Sequence, residues 1–321
     1  MSYEIFEKWP FTSYENLNFA WILNRVDEAW MMAKKAYELD VQTAINNKID
    51  ELLQAGELGA ILQPFGYGGF IAYHIYDHTG DTSWIMTAIP RNAYKLVFHN
   101  CSGNDSDSPT TLTSDPETWL KNYGEAHHAI IAHNCNFGGA QWGSRWNGVN
   151  YPRDIDPSVY PTPRNYFAYD SLMEECAYFD STTPVNLIPE NYDVVFACGD
   201  WFIIDGSART SPYTLDSPAG PRSCFGWDDE HFYVLYAEGR GTYEKGLTLA
   251  EAQAIFLRFN VPNAVNFDGG GSVCLAANVA GGTMKINHFR DARNYPFSQN
   301  RPVGLCATYE RRIENNDQLP H

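Results

Sequence analysis

From Leu58 onwards the sequence consists of short aromatic and β-branched runs separated by Gly and Pro, and this pattern constrains the fold most strongly. Examples are GYGGFIAYHIY, TSWIMTAI, AHHAIIAH, DVVFAC, FYVLYAEG and NAVNF. Runs of this length and composition are typical of β-strands joined by turns. Helical spacing appears from Leu249 to Phe259. Strands interspersed with few helices predict an α+β domain, in which a mixed β-sheet with flanking helices surrounds one core.

The residues before Leu58 have a different character. No Pro or Gly interrupts the chain from Tyr14 to Ala55, and Gly56 is an expected helix stop. Apolar residues recur there at steps of three and four, which predicts one apolar stripe along a long N-terminal helix. Its members are Val26, Trp30, Ala33, Tyr37, Val41, Ile45, Ile49 and Leu52. The stripe packs either on the main domain or on copies of itself as a short coiled coil, and both alternatives stay open. We therefore divide the chain into an N-terminal helical segment, residues 1–57, and a main domain, residues 58–321.

Charge and composition exclude several classes of partner. The net charge is −17 and the pI is about 4.8, so the chain lacks the basic footprint that grips nucleic acid or an anionic membrane surface. No apolar stretch approaches the roughly 20 residues that span a bilayer. The first residues, MSYEIFEKWPF, carry acids and lack a basic start and a long apolar core, so they are not expected to act as a secretory signal. Seven scattered cysteines without a CxxC pair predict buried, reduced thiols.

One stretch, from Arg240 to Cys274, carries the densest chemical pattern. Thr248 to Glu251 reads T-x-x-E, a capping box that predicts the start of a helix. After a strand ending near Phe267 come Asp268 and three successive glycines. The glycines allow the backbone to approach a ligand closely and to point several N–H groups at an anion. Asn266 and Asp268 alternate with Phe267, so both polar side chains are expected on one side of the strand end.

This pattern resembles the signature of the phosphodiester glycosidase family, from about Asn92 to Tyr309. The elements that carry the resemblance are Gly246-Leu247-Thr248-Leu249, Asn266 to Ser272, Gly220-Pro221-Arg222-Ser223, Gly239-Arg240 and Arg301-Pro302-Val303. Asn134 to Phe137 is similar to the family's Asn-Gly-Gly-Phe-Phe turn. Cys135, Asn136 and Gly138 depart from that turn, and the departure leaves the shape of this loop open.

The resemblance implies a hydrolase that cleaves a glycosyl-1-phosphodiester bond and releases the sugar, without a cofactor. Arg222 and Arg240 are expected to clamp the phosphodiester, because a guanidinium fork matches two phosphate oxygens. Asp268 is the expected acid/base or nucleophile, and a second carboxylate is needed. Glu251 is a candidate for it, although the capping box also explains this residue completely. The remaining candidates bind phosphate or sugar hydroxyls: Asn134, Asn266, and the backbone of Gly269, Gly270, Gly271 and Ser272.

Other groups of residues in the sequence give weaker chemical signals. His127, His128, His133 and Cys135 are close in sequence, but adjacent strand residues point to opposite faces, so no metal site is predicted. A Ser/His/Asp hydrolase is disfavoured because the chain has no GxSxG elbow. Trp142 and Trp146 follow the Asn134 turn in a Gly/Asn-rich loop and are candidate platforms for a sugar ring.

The segment from Ser13 to Trp30 resembles N-terminal segments of bacteriophage tail and appendage proteins. That resemblance implies attachment to other virion proteins, a homo-oligomer, and a host surface glycopolymer such as teichoic acid or capsule as substrate. The expected location is then the virion, and otherwise the cytoplasm. Two rivals remain: a non-catalytic, glycan-binding virion protein on the same fold, and a cell-associated enzyme that acts on its own wall.

Overall fold

The structure is a computed structural model. It describes residues 60–65, 70–77, 82–109, 112–136, 143–151, 164–209, 218–237, 239, 245–279, 282–285 and 302–312. The predicted long N-terminal helix and the segment 1–57 lie outside the described residues. No helix within these described ranges is long and apolar enough to cross a membrane.

The described residues form eighteen strands and two α-helices. The strands are β1 Ala60–Phe65, β2 Phe70–Asp77, β3 Thr82–Pro90, β4 Tyr94–Asn100, β5 Ala129–Asn134, β6 Ser144–Trp146, β7 Val149–Tyr151, β8 Tyr166–Asp170, β9 Glu175–Phe179, β10 Val194–Ala197, β11 Trp201–Ile204, β12 Ser207–Ala208, β13 Arg222–Trp227, β14 His231–Ala237, β15 Asn263–Asn266, β16 Leu275–Val279, β17 Gly282–Lys285 and β18 Leu305–Arg311. The helices are α1 Pro116–Tyr123 and α2 Leu249–Arg258, and short 3-10 turns lie at Val185–Leu187 and Gly270–Ser272.

The predicted α+β class with a mixed sheet is wrong for this part of the chain. Strands dominate it, and all of its registered strand pairs are antiparallel. The physical reason is the closeness of the strand runs in sequence. Parallel pairs need crossovers of a dozen or more residues, whereas β13 and β14, or β8 and β9, are joined by tight turns that favour antiparallel pairing.

The strands make three sheets. The largest has the order β1-β2-β3-β14-β13-β15-β11-β12, and the five-stranded sheets have the orders β7-β6-β10-β8-β9 and β17-β16-β5-β18-β4. Side chains from all three enclose one apolar core, which includes Ile131, Phe167 and Phe225. The Phe167 ring lies edge-on to Phe225 and Phe267, with centroids 5.6 and 5.5 Å apart. This core fixes β5, β13 and β15 relative to one another.

Each helix covers one sheet. In α1, the Asp115 carboxylate accepts a hydrogen bond from Thr118 N at 3.1 Å, and Trp119 and Leu120 pack in a second core on the outer face of the β5–β16 sheet. In α2, the capping box between Thr248 and Glu251 is present as predicted.

The cysteines are free thiols, and all of them except the half-buried Cys176 are buried. The prediction of buried, reduced cysteines is therefore confirmed for six of the seven.

Candidate active site

Three chain segments meet around the triglycine loop, residues 268–273. The loop follows β15, and its backbone is hydrogen-bonded to the other two segments. Asp268 N donates to Cys135 O at 3.1 Å, just beyond β5, and Gly270 N donates to Pro221 O at 3.1 Å, just before β13. β5 belongs to one five-stranded sheet, and β13 and β15 belong to the eight-stranded sheet. The ends of these strands bring together the predicted site residues Asn134, Arg222 and Asp268.

Asn134 joins both ends of this loop to β5. Its side-chain Nδ2 donates to Asp268 O at 2.6 Å, and its Oδ1 accepts from Cys274 N at 3.0 Å. The Asn134 carbonyl accepts from the Ser223 hydroxyl at 3.2 Å, which links β13 to the same point. Asn134 is fully buried. Its amide therefore holds the loop through main-chain contacts, which an Ala or Asp side chain could not both reproduce.

The altered turn after Asn134 has its own anchors. Asn136 is buried, its Oδ1 accepts from Leu305 N at 2.9 Å, and its Nδ2 lies 3.5 Å from Pro109 O. These bonds tie the turn to the start of β18. Gly138 lies outside the described residues.

Arg222 lies beside the triglycine loop at the start of β13. Its Nε donates to Leu247 O at 2.9 Å and its Nη2 donates to Pro218 O at 2.6 Å. A Cβ at Gly269 would lie 3.8 Å from Arg222 Nη1. Loop carbonyls thus orient the half-buried guanidinium toward the backbone of Gly269.

Gly269 and Gly270 are required by the geometry of the loop. Gly270 has φ 63°, a left-handed conformation that glycine adopts without strain. A Cβ at Gly269 would meet Pro221 O at 2.8 Å, so the loop could not lie this close to β13 with a larger residue. The Gly270 and Ser272 N–H groups are already hydrogen-bonded within the protein, the latter weakly at 3.4 Å to Gly269 O.

Asn266 forms a buried contact with a turn that the sequence analysis did not select. Asn266 N donates to Asp200 O at 2.8 Å, and Gly199 N donates to Asn266 O at 2.7 Å. A Cβ at Gly199 would lie only 2.3 Å from Asn266 Nδ2. Asp200 is a half-buried acid in this turn. The signal that could have identified it is the Gly-Asp pair directly after the strand run DVVFAC.

Glu251 is exposed at the first turn of α2. Thr248 N and Thr248 Oγ1 both donate to Glu251 Oε2, at 2.7 and 2.8 Å. The carboxylate therefore has a defined structural role at the helix start.

The thiols around the loop are poor nucleophiles. Burial raises the pKa of Cys224 to about 12, although the nearby Arg222 acts in the opposite direction. Burial also raises the pKa of Cys135 well above its ordinary value. A nucleophilic cysteine must be a thiolate, so covalent catalysis by either thiol is disfavoured.

Several predicted residues lie elsewhere. Arg240 and Trp142 are outside the described residues. Trp146 is only 3% exposed and its indole donates to Asp105 O at 2.8 Å, so the prediction of a sugar platform at Trp146 is wrong.

His133 faces the central core and stacks on Phe267, whereas His127 is exposed on the outer side of the sheet. The histidines near His127 in sequence thus do not assemble into one cluster.

Residues 171–308 match the model of the phosphodiester glycosidase family. This match includes Arg222, Asp200, Asp268 and the triglycine loop, and it begins after Asn134. Comparison with curated protein sequences finds no match.

Two solved structures are similar to parts of the chain. The auto-inhibited catalytic domain of zebrafish N-acetylglucosamine-1-phosphodiester alpha-N-acetylglucosaminidase has 15% identity and a TM-score of 0.49, over 79% of this chain and 90% of that one. A protein from Synechocystis has 12% identity and a TM-score of 0.42, over 78% of this chain and 61% of that one. Residues 1–57, including the segment that resembles phage appendage proteins, precede the family match, so that resemblance stays a prediction.

Proposed function

We propose that the protein is a glycosidase that hydrolyses a sugar-1-phosphodiester at the bond between the anomeric carbon and the phosphate oxygen. The observation that carries the proposal is the juxtaposition of the Arg222 guanidinium with the backbone of Gly269, directly after Asp268. A cation and a glycine backbone beside a carboxylate suit a substrate that has an anion next to the reacting carbon.

In this proposal the phosphodiester lies between Arg222 and the triglycine loop. Pro218 O and Leu247 O orient the guanidinium, so little side-chain entropy is lost when it binds phosphate. Because Gly270 N–H and Ser272 N–H are already hydrogen-bonded, the proposal assigns the backbone contribution to Gly269 and Gly271. Arg240, from the family's Gly-Arg element, is a second proposed phosphate ligand.

Asp268 is the proposed carboxylate at the anomeric carbon. Its backbone N–H donates to Cys135 O and its carbonyl accepts from Asn134 Nδ2, so the position of the Asp268 backbone is fixed. We assign the second carboxylate to Asp200, because its carbonyl is hydrogen-bonded to Asn266, two residues before Asp268. Asn266 and Asn134 then hold the loop and the turn that carry the two acids.

The experiment measures release of reducing sugar and phosphomonoester from UDP-N-acetylglucosamine and a panel of sugar-1-phosphodiesters, including teichoic-acid-type polymers. Asp268→Asn is expected to lower kcat at least about a hundredfold, the usual effect of removing an acid/base group. Arg222→Lys keeps the charge but removes the fork, and we expect a roughly tenfold or larger loss, mainly in kcat/KM.

Asp205→Asn is the matched control. Asp205 is exposed in the turn between β11 and β12 and has φ 50°, a conformation that Asn also adopts readily. The control should keep wild-type turnover and thermal stability. Equal turnover of wild type and folded Asp268→Asn would contradict the assignment of Asp268. No turnover on any substrate, together with glycan binding, would favour the non-catalytic, receptor-binding alternative.

A further inference from the structure

A second group of chemically active side chains lies on the outer face of the β5–β18–β4 sheet, away from the triglycine loop. It consists of His99 near the end of β4, Glu310 on β18 and His127 in the turn after α1. One ligand atom from each lies within 4.8 Å of the others. His99 Nε2 is 2.8 Å from Glu310 Oε1, and His127 Nδ1 is 3.4 Å from the same oxygen.

We propose that His99 Nε2, His127 Nδ1 and Glu310 Oε1 bind a divalent transition-metal ion of the zinc class. Two imidazoles and one carboxylate form a ligand set that favours zinc over magnesium or calcium, which prefer all-oxygen sites. A tetrahedral zinc ion would separate neighbouring ligand atoms by about 3.4 Å, given metal–ligand bonds of about 2.0–2.2 Å. The present separations require side-chain shifts of about one ångström or less at each ligand.

The residues around these ligands hold them in orientations suited to a metal. His99 Nδ1 donates to Asp105 Oδ2 at 2.8 Å, which directs Nε2 toward Glu310. Because Glu310 Oε1 can only accept, Nε2 donates to it in the metal-free protein, and zinc binding would release that proton to solvent. Histidine ligands of metals commonly donate their other ring nitrogen to a carboxylate in this way. Asp105 is itself fixed, because its Oδ1 accepts from Asn100 N at 2.7 Å. The Trp119 ring stacks on His99 with centroids 4.4 Å apart and fixes the imidazole plane.

The second oxygen of Glu310 has its own partner. Lys95 Nζ lies 3.1 Å from Glu310 Oε2, so the carboxylate is oriented with Oε1 toward the two histidines. The Lys95 side chain is 45% exposed, and water screens its charge from an ion on the other side of the carboxylate. The negative charges of Asp105 and Glu310 together offset it.

The site combines a rigid pair with one accessible ligand. The side chains of His99 and Glu310 are 6% and 7% exposed, whereas that of His127 is 41% exposed. An ion could therefore enter from the His127 side and keep a water molecule as its fourth ligand. Because His127 belongs to the α1 turn and the other two ligands belong to the sheet, the bound ion would join α1 to β4 and β18.

The test is equilibrium dialysis of the full chain, stripped of metal by a chelator, against zinc chloride, together with thermal unfolding. Wild type should bind zinc and unfold at a higher temperature with zinc present, since a ligand that binds the folded state stabilises it. His127→Asn should weaken binding by at least about tenfold and remove the shift in Tm. The exposed neighbour His128, with φ 53°, supplies the matched control His128→Asn, which should behave as wild type.

Two further variants make the test sharper. Asp105→Asn removes an orienting group without removing a ligand, so binding should weaken by roughly tenfold while the stoichiometry is kept. Asp268→Asn should bind zinc as wild type does, because the triglycine loop is a separate site. An absence of zinc binding by wild type, or equal binding by wild type and His127→Asn, would overturn the proposal and leave the cluster as a hydrogen-bonded ion-pair network.

Discussion

At the scale of single residues, His133 shows how the core and the candidate active site are connected. Its Nδ1 lies 3.0 Å from Asn134 O, which can only accept, so Nδ1 carries the proton. Its Nε2, 3.0 Å from Tyr309 Oη, then accepts from the phenol. The neutral ring therefore satisfies both partners, directly beside the residue that holds the triglycine loop.

The buried, neutral His133 predicts that the stability of the protein depends on pH. Burial lowers the pKa of His133 to about 4, against a smaller opposite effect of its bond to Asn134 O. The unfolded chain, in which a His has a pKa near 6.5, therefore binds a proton that the folded chain does not. The contribution of His133 to the free energy of unfolding should fall by roughly 2 kcal/mol between about pH 7 and about pH 5.

Urea unfolding of wild type and His133→Gln at both pH values isolates this effect from other titrating groups. The Gln amide can donate to Asn134 O and accept from Tyr309, but it does not titrate. We expect the variant to lose less stability on acidification than wild type. Parallel losses in the two proteins would show that His133 does not cause the pH dependence.

Part of the residue-scale account could be predicted from the sequence. Asp268 and the triglycine were recognisable because they are consecutive in sequence, and Arg222 because it lies in a second short element of the same family signature. The cluster of His99, His127 and Glu310 was not, because its members come from two strands and a turn that are far apart in the chain. Asn134 was predicted to contact substrate, and only the folded structure shows its amide engaged by Asp268 O and Cys274 N.

At the scale of elements, the start of α2 carries Glu251, the acid that the sequence suggested as the partner of Asp268. The proposed function assigns this role to Asp200, since the Glu251 carboxylate is engaged by the capping box. Gln also completes a capping box, so Glu251→Gln should keep both helix stability and turnover. Glu251→Ala should lower the free energy of unfolding by about 1 kcal/mol, which denaturant unfolding would detect.

Steady-state kinetics of variants at Asp200 and Glu251 shows which of the two carboxylates takes part in the reaction. Asp200→Asn should lower kcat by at least about a hundredfold, whereas Glu251→Gln should leave it unchanged. If Glu251→Gln instead lost activity while Asp200→Asn kept it, the two assignments would have to be exchanged.

Sequence patterns predicted many elements but not their pairing. The helical spacing from Leu249 and the run NAVNF correspond to α2 and β15. α1 was missed because it is only eight residues long and directly follows a long polar stretch, although Asp115 and Pro116 are a typical helix start. The pairing of β14 with β3 joins strands from distant parts of the chain, and local composition does not encode such a contact.

At the scale of the whole molecule, three antiparallel sheets share one core, and strand ends from two of them form the candidate active site. The sequence did not predict this arrangement, because its local patterns indicated only a mixed sheet with flanking helices. The division of the chain at residue 58 stays a prediction, as do attachment to a virion and oligomer formation.

The proposed glycosidase reaction requires that water attacks the anomeric carbon and not phosphorus. The most direct measurement is hydrolysis of an active sugar-1-phosphodiester in water enriched in the heavy oxygen isotope, with mass spectrometry of both products. The proposed roles of Asp268 and Arg222 predict that the label enters the hydroxyl group at the anomeric carbon of the released sugar and is absent from the phosphomonoester. Label in the phosphomonoester would show phosphodiester cleavage at phosphorus and would rule out the proposed glycosidase reaction.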